Sequence, residues 1–123
     1  QFHAEVVPFI ENMAERFAQA DLILCRSGAI TVAEVSASGR AAIFIPFGAS
    51  TDAHQTRNAQ VMQNAGAAKL LPQDELTPER LTNEIFSLLD RPGKIQEMEL
   101  CARTLARPRA VEDIVDVIEG VRR

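Results

Sequence analysis

The chain has 123 residues, 46% of them apolar, and 13 Lys plus Arg against 17 Asp plus Glu leave a net charge of −4. This composition reads as one ordinary soluble domain with a real core. An acidic balance without a basic run excludes a nucleic-acid surface, which needs clustered cations against phosphates, and no apolar stretch reaches the roughly 20 residues of a membrane-spanning helix.

Aromatic residues are Phe alone, which removes the stacking platform expected of a single-strand binder. Cys25 and Cys101 form neither a disulfide framework nor a metal quartet, and a reducing compartment suits them. The chain opens at Gln1 with almost no lead-in before an apolar run and reads as part of something longer.

In chain order, short apolar runs alternate with longer amphipathic stretches. The runs cover residues 6–7, 22–25, 42–45 and 68–71, and near-continuous apolarity suits strands buried on both faces of a parallel sheet. The 16 residues after Cys25 and the 22 after Ile45 each accommodate a crossover helix with its loops. The expected fold class is therefore α/β, a Rossmann-like parallel sheet with flanking helices, in a single domain over residues 1–123.

The helices follow from period and punctuation. Ile10, Met13, Phe17 and Ala20 mark a first helix beginning near Glu11, and Val32 and Val35 anchor a second that stops near Gly39. A third runs from about Ala53 to Asn64, before Gly66. Thr77, Pro78 and Glu79 supply an N-cap, a first-turn proline and a first-turn acid, with Leu81, Ile85, Leu88 and Leu89 at helical spacing behind them. Pro92 starts another helix with Ile95, Met98, Cys101 and Leu105 on its buried side. Pro108 leads into a last one through Val111, Ile114, Val115 and Ile118.

Ligands of open parallel sheets sit at the carboxyl ends of the strands, which directs attention to the loops at residues 8–13, 26–31, 46–55 and 72–77. The second reads Arg26-Ser27-Gly28-Ala29-Ile30-Thr31, with a glycine that admits close backbone approach just before a helix, though without a full dinucleotide or P-loop pattern. It is read either as a ligand loop or as a plain turn capped by Ser27 or Thr31. Glu34, one helical turn on, is either a solvated acid or an acceptor for a vicinal diol.

The third loop ends in His54 and Gln55, with Asn58 at helical spacing; carboxamides suit sugar hydroxyls, and His54 is a base, a ligand or a simple donor. The other histidine is His3, so no His-based metal site is expected, and no G-x-S-x-G elbow supplies a nucleophile. Phe9 is either core or a wall for a planar base. Asp74 and Glu75 are read as solvent-facing caps of the helix that follows.

The segments V-P-F-I-E-N-M, A-D-L-I-L-C-R-S-G-A-I-T-V-A-E, I-P-F, H-Q-T-R-N-A, A-G-A-A and L-T-P-E-R-L, in this order, resemble the C-terminal part of the MurG family. These are the N-acetylglucosaminyltransferases that convert lipid I to lipid II in peptidoglycan synthesis. The resemblance implies the C-terminal, donor-binding domain of a two-domain GT-B glycosyltransferase, N-terminally truncated here and inactive alone.

It further implies UDP-N-acetylglucosamine as donor, lipid I as acceptor through an N-terminal domain, and no cofactor or metal. A cytoplasmic protein, peripheral on the inner membrane, follows from the same resemblance. Uracil would meet Phe9 and the backbone of Ile10, and phosphate the backbone near Met13. Arg26, Ser27, Gly28, Ala29, Ile30 and Thr31 would lie against the donor, Glu34 would hold the ribose, and Gln55 and Asn58 the sugar. No catalytic residue falls within the chain.

Some relatives carry two glutamines where this chain has His54-Gln55, which makes Gln55 the firmer sugar ligand. The alternatives are the same domain of another UDP-sugar transferase, or a non-catalytic nucleotide-sugar-binding module.

Overall fold

The computed structural model describes residues 4–47 and 53–105. Three parallel strands, β1 (Ile23–Cys25), β2 (Ala42–Phe44) and β3 (Ala68–Leu70), lie in the order β1-β2-β3. Ile23 pairs with Ala42 and Ala42 with Ala68, so the three strands run in step. The helices are α1 (Met13–Gln19), α2 (Ala29–Ser38), α3 (Ala53–Asn64), α4 (Pro78–Leu89) and α5 (Lys94–Leu105), with a short 3-10 turn at Gln73–Glu75.

The two-residue period of β2 divides the core. Ala42 and Phe44 face Val35, Ala59, Met62 and Ala102, while Ile43 joins Leu71, Leu88 and Met98 on the other side. Helix α5 serves both layers, giving Cys101, Ala102 and Leu105 to the first and Ile95 and Met98 to the second. Both faces of β2 are thus covered, which explains its unbroken apolar sequence. On the edge strand β1, Leu24 is 44% exposed.

Helix boundaries follow local chemistry. Asn12 caps α1 by accepting from the Glu15 amide, and Gly39 ends α2 in the left-handed region at φ 68°. Thr77 accepts from the Arg80 amide with Pro78 in the first turn of α4. The first helix therefore starts at Met13, two residues beyond the sequence expectation, because Asn12 rather than Glu11 supplies the cap.

Three further expectations are corrected. Residues 6–7 form no strand: Val6 is 93% exposed, and the described sheet ends at β1. Apolar character without a paired neighbour does not make a strand. Neither Ser27 nor Thr31 caps α2; its N-cap is Gly28, with no side-chain bond. Asp74 and Glu75 belong to the 3-10 turn, Thr77 does the capping, and Glu75 pairs with Arg80 at 3.2 Å. The helix expected after Pro108, His3 and residues 48–52 lie outside the described residues.

Arg40 ties α1 to α5, donating to the Ala18 carbonyl and pairing with Glu99 at 2.9 Å. Burial pushes the Cys25 thiol from 9.0 up to about 11. The folded state therefore keeps a proton that the unfolded chain releases, and this group's stabilising contribution, present below pH 9.0, is lost as pH rises towards about 11. Alkylation of Cys25 by iodoacetamide at pH 8 is expected to be roughly tenfold or more slower in the folded chain than in urea, as read by peptide mass spectrometry. Equal rates would mean the thiol is not shielded.

Candidate functional site at the carboxyl edge

The loops leaving β1 and β2 and the segment after β3 meet at one end of the sheet, and residues 26–27 join them. Ser27 is fully buried, and its hydroxyl donates to the Gln55 carbonyl at 2.7 Å. The Asn58 amide returns a bond to the Ser27 carbonyl at 3.1 Å. Arg26 crosses to the neighbouring loops: Nη1 donates to the carbonyls of Ile45 (3.4 Å) and Pro46 (3.3 Å) and to Oε1 of Gln73 (2.6 Å). Its guanidinium carbon sits 5.5 Å from the centre of the Phe47 ring.

Gln55 closes the circuit, accepting from the Phe47 amide at 2.8 Å. A carboxamide whose oxygen is fixed in this way has its NH2 end fixed as well. Ser27 thus contributes a buried strut by its side chain, and anything it offers a ligand comes from its backbone.

Helix α2 leaves this junction with an unusual start. Its first-turn amides, on Ala29, Ile30 and Thr31, receive no capping side chain, since Gly28 has none to give. Nothing lies within 4 Å of a Cβ built on Gly28, so the space before those amides is open. Ile30 is 77% exposed beside it.

Glu34 is exposed one turn further along α2 and lines a cleft of about 550 Å3 with Met13, Ala14 and Ala18 of α1 and Ala37 and Ser38 of α2. Among the described residues it makes no hydrogen bond or ion pair. Its carboxylate is therefore not consumed by the fold.

The structure gathers the sequence-derived residues into three groups. Arg26, Ser27, Gln55 and Asn58 share the loop junction; Met13 and Glu34 share the α1–α2 cleft; Phe9 and Ile10 line a separate cleft of about 490 Å3 with Asn12, Glu15 and Arg16. Phe9, 77% exposed, is not core. His54 is exposed in the first turn of α3. The site residues that sequence reasoning missed are Phe47 and Gln73: each acts through contacts with Arg26, and no local pattern announces such long-range partners.

Comparison with known proteins agrees with this architecture. Over 115 residues the chain is 49% identical to the UDP-N-acetylglucosamine–N-acetylmuramyl-(pentapeptide) pyrophosphoryl-undecaprenol N-acetylglucosamine transferase of Aromatoleum aromaticum, covering 94% of this chain and 32% of that protein. The enzyme of the same name from Ralstonia nicotianae is 47% identical over 115 residues, with 94% and 31% covered. The chain thus spans about a third of the length of these curated relatives.

The crystal structure of Acinetobacter baumannii MurG matches with a TM-score of 0.81 and 45% identity, covering 94% of this chain and 33% of that one. The model of the glycosyltransferase family 28 C-terminal domain matches residues 2–114. With its parallel sheet, its glycine-started α2 and nearly its whole length accounted for, the chain belongs to the glycosyltransferase family 28 C-terminal domain family.

Proposed function

We propose that this domain holds the donor, UDP-N-acetylglucosamine, for the N-acetylglucosaminyl transfer that converts lipid I to lipid II. The observation that carries the reading, beside family membership, is the open, uncapped start of α2 with the unconsumed Glu34 carboxylate one turn on. Amides of Ala29, Ile30 and Thr31 suit a diphosphate, which gains charge as it leaves the anomeric carbon. Glu34, from the same helix, accepts from a ribose diol.

Phe9 walls the uracil and the Ile10 backbone reads its edge, with the backbone near Met13 towards the phosphates. Gln55 and Asn58 face the sugar. The acceptor and the base that takes its proton belong to the rest of the transferase, which works at the cytoplasmic membrane surface. Among the described residues no helix is long and apolar enough to cross a membrane.

Titration with nucleotides, followed by backbone NMR shifts, tests the reading. UDP is expected to move the amides of residues 28–31 and of Phe9 and Ile10, and ADP or GDP at equal concentration to leave Phe9 and Ile10 largely in place. Equal shifts there with all three nucleotides would remove uracil readout, and no shift at residues 28–31 with any of them would remove the donor site.

A further inference from the structure

We propose that Arg26 is a positioning residue that sets the sugar end of the site by holding the loops after β2 and β3 against the loop after β1, without itself touching the donor. Its consequence for ligands rests on the donor reading above, whereas its geometry stands alone. One guanidinium nitrogen serves the Ile45 and Pro46 carbonyls and the Gln73 side chain; the two backbone bonds are partly buried, and the one to Gln73 lies at the exposed surface. Nη1 has two hydrogens for three acceptors, so the bonds are shared as three-centre contacts.

The guanidinium carbon lies over the ring of Phe47, whose amide in turn holds Oε1 of Gln55. A continuous relay thus runs from Arg26 through Phe47 to the carboxamide at the head of α3. Ser27, the next residue, anchors the same helix turn through the Gln55 carbonyl, so the side chains of residues 26 and 27 fix Gln55 from two directions. Residues that face the sugar are therefore set by a residue whose own hydrogen bonds are spent on protein. Lysine does not replace it, because a compact, strongly hydrated ammonium lacks the delocalised cation that the guanidinium sets over the Phe47 ring.

The test uses the whole chain and two variants, Arg26→Ala and Arg26→Lys, the second keeping the charge and aliphatic stem should the first fail to fold. Without ligand, amide exchange at Phe47 is expected to quicken by about tenfold or more in both variants, while the Phe44 amide in β2 keeps its protection. Unchanged exchange at Phe47, or equal acceleration at Phe44, overturns the strut.

With ligand, affinity for UDP-N-acetylglucosamine is expected to fall about tenfold and affinity for UDP less than about twofold. Equal loss of both would mean that Arg26 touches the diphosphate, and the proposal fails. If the parent chain binds neither nucleotide, the donor reading fails instead, and the Phe47 exchange rates still decide whether Arg26 is the strut.

Discussion

Glu34→Ala is expected to weaken UDP binding by roughly tenfold to a hundredfold, because hydrogen bonds to a charged acceptor contribute about 1.5–3 kcal/mol. The carboxylate is exposed in the α1–α2 cleft and has no bond or ion pair among the described residues, so its removal leaves no fold contact broken. Stability should accordingly change by less than about 0.5 kcal/mol, as for an ordinary surface substitution.

Isothermal titration beside a thermal melt separates the two quantities. Glu34→Gln, which keeps an acceptor oxygen but loses the charge, should fall between parent and alanine variant. UDP affinity equal to the parent's in Glu34→Ala would exclude the ribose role.

The second large effect concerns the end of the same helix. Gly39 and Gly93 both adopt positive φ, 68° and 84°, but a Cβ on Gly39 would stand 2.8 Å from Cγ of Arg103, whereas a Cβ on Gly93 meets nothing within 4 Å. Gly93→Ala therefore carries only the left-handed backbone cost, about 1–2 kcal/mol. Gly39→Ala adds crowding where α2 meets α5 and is expected to cost about 2–4 kcal/mol in all.

For a domain of this size that corresponds to a fall of roughly 10 °C in Tm for Gly39→Ala, against about half as much for Gly93→Ala. Equal falls would show that Arg103 swings aside and that only the backbone matters. Arg103→Ala in the Gly39→Ala background should recover part of the loss, since the crowding then has no partner.

Much of this molecule was determined by sequence alone, and the reason is locality. Thr77-Pro78 and Gly39 specify a helix start and a helix stop through bonds within a few residues, and both stand where the sequence puts them. The run at residues 42–45 gives β2, whose apolarity is needed on two faces at once, and the run at 68–71 gives β3, where Ala68 and Leu70 join one core layer while Lys69, between them, is only half-buried. Glycine before a helix, with an acid one turn on, was equally visible.

Tertiary structure decided the rest. Residues 6–7 are as apolar as a strand, yet among the described residues no strand pairs with them, and pairing is a property of the sheet and not of the segment. Ser27 looked like a helix cap and is a buried strut, because its hydroxyl finds the Gln55 carbonyl 28 residues away. Arg26 stands in a loop that the resemblance lays against the donor, and the structure adds what its sequence position does not show, that its guanidinium also binds the carbonyls of Ile45 and Pro46. Which acceptor an arginine meets depends on how the loops fold back over the strand ends, and that distance is set only when the sheet is assembled.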